Sequence, residues 1–174
     1  MTRSLLALLG CFTLITFANL NADPIALGSP APDITAPNQE GQSIHFPDIY
    51  AKGITLVYFY PKAGTSGCTA EACSLRDSYD KLQAQGLQII GVSRDSVDSQ
   101  KHFQTQYKLP FTLIADSDGS VAKAFGVPMI SVIVPLAQRQ SFIVKDGKIV
   151  WSSLHAKTDG SAQEIQAALD QLKG

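Results

Sequence analysis

Charge is scarce in this sequence. Only 17% of its 174 residues are Asp, Glu, Lys or Arg, and they nearly cancel to a formal net charge of −1. The basic excess expected of a nucleic-acid binder is missing. Histidine is rarer still: His45, His102 and His155 are scattered, with no metal-ligand spacing to one another or to a cysteine. Three cysteines are too few for a disulfide-dense scaffold. No glycine-rich nucleotide fingerprint follows an apolar run, so neither a nicotinamide, flavin or haem cofactor nor a metal is expected. What is present is globular: 45% of the residues are hydrophobic, which excludes wholesale disorder. At one domain per ~100–200 residues, this length makes a single domain with a sizeable core.

The first 22 residues stand apart. Arg3 supplies a short positive region, Leu5 to Phe17 is an apolar run, and Ala22 ends the polar stretch that follows. This is the pattern of a cleaved secretory signal peptide. The run is shorter than the ~20 apolar residues of a membrane span, so no membrane association beyond export is expected. Cleavage is placed after Ala22, with Ala18 as the alternative. Leu8-Leu9-Gly10-Cys11 also resembles a bacterial lipobox, although the apolar run continues past Cys11. The expected compartment is therefore periplasmic or secreted, and oxidising. Residues 23–174 form the functional domain, in which two cysteines remain, Cys68 and Cys73.

Gly28 to Gly41 carries three prolines and reads as extended or looped. Ile54 to Tyr60 is a continuous apolar and aromatic run, the mark of a strand buried on both faces, and Pro61 ends it. Thr69 to Gln85 has helical spacing at Ala72, Leu75, Tyr79 and Leu82, with Gly86 as the C-terminal cap. Strands are expected at Leu87 to Val92 and Phe111 to Ile114. Helices are expected at Val97 to Tyr107, capped by Asp95 or Ser96, and at Ser120 to Phe125. Asp146-Gly147 marks a hairpin between Gln140–Val144 and Lys148–Ser153. A last amphipathic helix spans Ser161 to Lys173. The alternation predicts an α/β domain with a parallel core closed by an antiparallel hairpin.

The chemistry concentrates between Tyr58 and Asp77. Cys68 follows a buried strand and a glycine-containing turn, and it sits where a helix opens. Free N–H groups and the helix dipole there favour thiolate over thiol. A lone cysteine is commonly a buried, inert thiol; the strand–turn–helix setting favours a reactive one. Cys73 lies five residues on. On an intact helix that spacing separates the two Cα atoms by ~8.7 Å, from the helical rise and radius. A disulfide needs ~4.4–6.8 Å. A bridge between them therefore requires the first turns to unwind. The other reading is a permanent bridge made during export.

Pro61-Lys62-Ala63-Gly64-Thr65-Ser66-Gly67-Cys68 matches the P-x-x-x-[TS]-x-x-C signature of peroxiredoxins. The continuation Cys68 to Asp77, with the Gly28 to Asp33 opening, the Tyr58 to Lys62 strand end and Arg139 to Phe142, resembles the bacterioferritin comigratory protein or PrxQ subfamily. The resemblance implies a thioredoxin-like fold, a central mixed sheet flanked by helices. It implies a thiol peroxidase acting on hydrogen peroxide and organic hydroperoxides. Cys68 would be peroxidatic, and Cys73 resolving through an intramolecular disulfide. A thioredoxin-like protein would be the reductant, and the chain would be a monomer. It further implies that Thr65 and Arg139 join the peroxide network, that Gly67 and Cys68 supply backbone donors, and that Pro61 shields the thiolate. Read alone, Thr65 is a helix-entry hydroxyl, Arg139 a solvated cation and Glu71 either a rim residue or a first-turn acid. Ser66 stands where relatives often have Pro, and the acid common near Gly64 is missing, which predicts a looser turn. The apolar stretch Pro128 to Gln138 reads equally as an exposed rim or a buried connection. The alternatives on the same fold are an exported thiol–disulfide oxidoreductase or a redox-linked binding module. They call for C-x-x-C or C-x-x-x-C, not the four intervening residues found here.

Overall fold

The structure is a computed structural model that describes residues 24–130 and 133–173; the leader 1–22, with Cys11, lies outside the described residues. The chain opens with a two-stranded antiparallel ribbon, β1 (Thr35–Pro37) and β2 (Ser43–His45), followed by α1 (Phe46–Tyr50). Then come β3 (Ile54–Phe59), α2 (Ser66–Asp77), α3 (Tyr79–Gln83), β4 (Leu87–Ser93), α4 (Val97–Tyr107), β5 (Thr112–Ala115), α5 (Ser120–Ala124), β6 (Gln140–Lys145), β7 (Lys148–Ser153) and α6 (Ser161–Gln171). The main sheet has the order β5-β4-β3-β6-β7. Strands β3, β4 and β5 run parallel, while β6 and β7 are antiparallel to their neighbours. This is the predicted mixed sheet flanked by helices.

Period-two alternation along β3 sorts the core into two layers. Leu56, Tyr58 and Tyr60 face a layer that holds Cys68, Ala72 and Leu75 of α2, Phe103 of α4 and Ile165 of α6. Val57 and Phe59 face the other, with Phe46 of α1, Phe125 and Phe142. Both faces are covered, which is why β3 reads as an unbroken apolar run.

The predicted helix over 69–85 is two helices. It begins three residues earlier, at Ser66, and breaks at Ser78, whose φ of −107° and ψ of 5° are not helical. Helical spacing missed the break because Leu75 and Leu82 stay buried on either side of it. The looped 28–41 segment hides β1. Its turn is closed by Asn38, whose Oδ1 accepts from the N–H groups of Glu40 and Gln42, each at 2.9 Å. Ser96, not Asp95, caps α4: its Oγ accepts from the Ser99 N–H at 3.3 Å. The hairpin turn is as predicted, with φ of 52° at Asp146 and 70° at Gly147.

Gly91 in β4 leaves room for the Tyr58 ring. A Cβ there would stand 2.7 Å from the Tyr58 hydroxyl oxygen and 2.8 Å from Leu113 Cδ2. Gly91→Ala should therefore destabilise the domain by about 1–3 kcal/mol through overpacking. Denaturant unfolding measures this, and an unchanged midpoint would contradict the packing described.

Candidate active site

Three elements converge on Cys68. Strand β3 ends at Phe59, and the Tyr60 N–H adds one last bond to Val92 O at 3.0 Å. Half-buried Pro61, which has no N–H to donate, then turns the chain out of the sheet. The turn beyond it is tied down more firmly than its sequence suggests. Asp95 Oδ2 accepts from the Ala63 N–H at 2.8 Å, and the Thr65 hydroxyl donates to Lys62 O at 2.9 Å. Gly64 takes a φ of 76°, which a side chain would strain.

Helix α2 then starts without a side-chain cap. Its first internal bond runs from the Thr69 N–H to Thr65 O, at 2.8 Å. The N–H groups of Ser66, Gly67 and Cys68 thus have no partner within the helix, and the positive end of the dipole lies beside the sulfur. The expected backbone donors, Gly67 and Cys68, are in this first turn. Thr65 is at the cap position, but its exposed hydroxyl points its proton at Lys62 and not at the sulfur.

Arg139 arrives from the other side of β3. The register pairs Phe59 with Gln140, so the preceding residue lies beside the end of β3 where the chain turns towards α2. Its Nη2 donates to Cys68 Sγ at 3.2 Å, and its Nη1 donates to Glu71 Oε2. Cys68 is 1% exposed, Glu71 fully buried, and the Arg139 side chain 16% exposed. Burial opposes the charge on Arg139, but Glu71 and Cys68 outweigh it and hold the guanidinium above its ordinary pKa. Burial also pushes the Glu71 carboxyl up to about 8, against the pull of Arg139. Both cysteines are free thiols, Cys73 being half-buried and on the same continuous α2. The helix is intact and the pair is not joined, as the spacing predicts.

The matches to known proteins follow the same elements. Residues 27–152 match the AhpC/TSA family. The chain belongs to the AhpC/TSA family. Its relatives are peroxiredoxins of the Q/Bcp kind. A putative peroxiredoxin Bcp of Coxiella burnetii is 36% identical over 152 residues, covering 83% of this chain and 99% of that protein. Chloroplastic peroxiredoxin Q of rice is 38% identical over 126 residues, 72% of this chain, which spans 57% of the rice protein's length. The crystal structure of peroxidoxin BcpB from Mycobacterium tuberculosis superposes with a TM-score of 0.78 at 28% identity, covering 85% of this chain and 98% of that one.

Within this family frame, three residues of the site were missed or misplaced by sequence reasoning. Glu71 is not a first-turn acid, because the helix starts at Ser66; it lies in the second turn and points inward at Arg139. Asp95 anchors the active-site turn from the end of β4 and does not cap α4. Thr158, from the loop before α6, walls the site: a Cβ on Gly67 would meet its Cγ2 at 3.2 Å and Arg139 Nη2 at 3.5 Å. Nothing local in the sequence marks these contacts, which span up to 91 positions. The Pro128 to Gln138 segment is not a buried connection. Its base is closed by Ile130 N–H to Leu136 O and Gln138 N–H to Pro128 O, each at 2.9 Å. Ile130 at that base and Ile133 and Val134 beyond it are exposed, Ile133 at 93%.

Glu71 makes the stability of this site depend on pH. Its folded pKa of about 8 lies above the ordinary value of 4.5. Its contribution is therefore whole below pH 4.5 and drains away as pH rises through 8. Glu71→Gln, similar in shape and uncharged, should flatten the fall in unfolding free energy between pH 5 and pH 8.5. Denaturant titrations at both pH values test this, and equal slopes for the two proteins would contradict it.

Proposed function

We propose that the chain is a thiol peroxidase in which Cys68 reduces hydrogen peroxide or an organic hydroperoxide. The observation that carries this reading is the 3.2 Å contact of Arg139 with the Cys68 sulfur, at an uncapped helix start. A permanent cation and unpaired N–H donors there stabilise a thiolate and the oxygens it attacks. The sulfur forms a bond to one peroxide oxygen as the O–O bond breaks. The other oxygen leaves with a proton as water or an alcohol, and Cys68 becomes a sulfenic acid.

Cys73 is then the resolving residue, in the manner of a two-cysteine enzyme. Its thiolate attacks the Cys68 sulfur, the S–O bond breaks, and the oxygen leaves as water with a proton. The geometry of α2 requires its first turns to open for this step. A thioredoxin-like dithiol reduces the resulting disulfide by exchange and is itself oxidised to a disulfide. In this reading Thr65 enters through an oxygen lone pair or after the turn shifts, since its proton is directed to Lys62. Pro61 shields the thiolate from bulk water.

Peroxide consumption by the reduced protein with a thioredoxin system tests the reading. Cys68→Ser should abolish turnover. Cys73→Ser should form the sulfenic acid but recycle poorly. Equal turnover in Cys68→Ser and the unmutated protein would remove the assignment. The apolar Leu5 to Phe17 run and Ala22 support export to an oxidising compartment. The intact mass of the mature protein distinguishes cleavage after Ala22 or Ala18 from lipidation at Cys11.

A further inference from the structure

A chain of hydrogen-bonded side chains leaves the active-site turn at Tyr60 and returns to it at Ala63. It starts at the Tyr60 hydroxyl, which donates to Gln100 Oε1 across the gap between β3 and α4. The Gln100 amide donates from Nε2 to Ser93 Oγ at 3.0 Å and to Ile114 O at 2.7 Å. Ser93 donates its hydroxyl proton to Asp95 Oδ2 at 2.6 Å. The same carboxylate oxygen accepts from the Ala63 N–H at 2.8 Å. Tyr60, Ser93 and Gln100 are fully buried. The chain thus joins α4 and the ends of three strands, and it closes around Pro61 and Lys62.

The direction of each bond is fixed. Burial holds the Tyr60 phenol well above its ordinary pKa, so it is a donor. Gln100 must then present oxygen to Tyr60 and nitrogen to Ile114 O. The flipped amide would set its oxygen against a carbonyl oxygen. That nitrogen takes a lone pair of Ser93 Oγ, and the single serine proton is left to point at Asp95. In dry surroundings any member left unpaired is costly, so the chain holds as a unit.

What the chain fixes leads directly to the sulfur. Ala63 lies between Pro61 and Thr65, the residue whose carbonyl accepts the first internal bond of α2. Thr65 in turn donates its hydroxyl back to Lys62 O. The backbone from Tyr60 to Thr65 is therefore tied at both ends and at Ala63 between them. Gly67 and Cys68, the expected backbone donors, follow within one helical turn. Asp95 itself is only half-buried. Its own N–H meets Ser93 Oγ at 3.4 Å, and its carbonyl accepts from the exposed Ser117 hydroxyl at 3.3 Å. Without Ser93 its carboxylate would have water as an alternative partner, and its aim at Ala63 would be lost.

We propose that Ser93 and Gln100 are positioning residues for the peroxide-reducing step: they aim the Asp95 carboxylate at the Ala63 N–H and so hold the turn that sets Pro61 and the first N–H groups of α2 around Cys68. The inference rests on Cys68 being the peroxidatic cysteine. Ser93 and Gln100 exchange neither electrons nor protons with the peroxide. They act through Asp95, and their effect on the rate passes through that carboxylate.

The test is a single turnover with one equivalent of hydrogen peroxide in a Cys73→Ser background, where the sulfenic acid accumulates. Samples are quenched with dimedone and read by mass spectrometry, well below the unfolding midpoint. Ser93→Ala and Gln100→Leu should each slow formation of the Cys68 sulfenic acid by about tenfold, within the ~100-fold that a displacement of about 1 Å can cost. Asp95→Ala should slow it as much. Asp95→Asn keeps an oxygen that can accept from Ala63 and should restore most of the rate. A double-mutant cycle of Ser93→Ala with Asp95→Ala separates positioning from stability. The double variant should form the sulfenic acid no more slowly than Asp95→Ala alone, although it unfolds at lower denaturant. A role in stability alone would lower the unfolding midpoint and leave these rates as they are. Unchanged rates in Ser93→Ala and Gln100→Leu, or losses that multiply in the double variant, would overturn this proposal alone. No sulfenic acid at Cys68 in the Cys73→Ser parent would overturn the peroxidase reading and this proposal with it. Should Gln100→Leu fail to fold, Ser93→Ala, which removes one oxygen atom, decides.

Discussion

One guanidinium serves two acids at the centre of this molecule. Arg139 donates to the Cys68 sulfur through one nitrogen and to the Glu71 carboxyl through the other. The site is nearly dry, and a single cation there balances a single anion. If both acids were ionised, one negative charge would stay buried without compensation. Burial resolves the conflict by holding the Glu71 proton up to about pH 8. A neutral carboxyl still accepts a hydrogen bond through its carbonyl oxygen. Glu71 can therefore orient the guanidinium without neutralising it, and the positive charge remains available to sulfur. The burial that makes Glu71 a poor anion is supplied by the two-layer core. Its contribution to the site is inseparable from the packing of α2 against β3.

That constraint explains which parts of the molecule could be read from the chain. The β3 run, the turn to Cys68 and the β6–β7 hairpin are local features, set by neighbours within about ten residues, and their patterns are strong. The placement of Cys68 near the start of a helix was legible for the same reason, because strand, turn and helix are consecutive. Glu71 and Asp95 were not. Each is an ordinary acid whose role depends on a partner brought in by the sheet: Arg139 through the β3–β6 register, and Ala63 through the parallel β3–β4 pairing. Thr65 shows the opposite error. The motif named it correctly as a member of the turn, but motif spacing carries no hydroxyl direction, and the proton goes to Lys62. The break at Ser78 was hidden because helix periodicity reports which face is buried, not whether the axis continues.

The start of α2 shows how one local omission can serve two ends. A side-chain cap typically contributes about 1 kcal/mol to a helix, and here there is none. Without it, the N–H groups of Ser66, Gly67 and Cys68 have no partner within the helix, which under the proposed chemistry suits a thiolate and the oxygens it would attack. The same lack makes the first turns cheaper to open than the rest of the helix. Glu71, Ala72 and Leu75 are buried beyond them, and Arg76 ties the far end to α4. The remaining hold on the start is the packing of Cys68 and its attraction to Arg139. Under the proposed chemistry that attraction weakens when the thiolate becomes a sulfenic acid, since the sulfur no longer carries a full charge. Oxidation would then loosen the segment that has to move, and the reduced thiolate would keep it closed. Under the proposed chemistry the five-residue spacing of the cysteines would be bridged by a helix that is built unevenly, uncapped at one end and tied to α4 at the other.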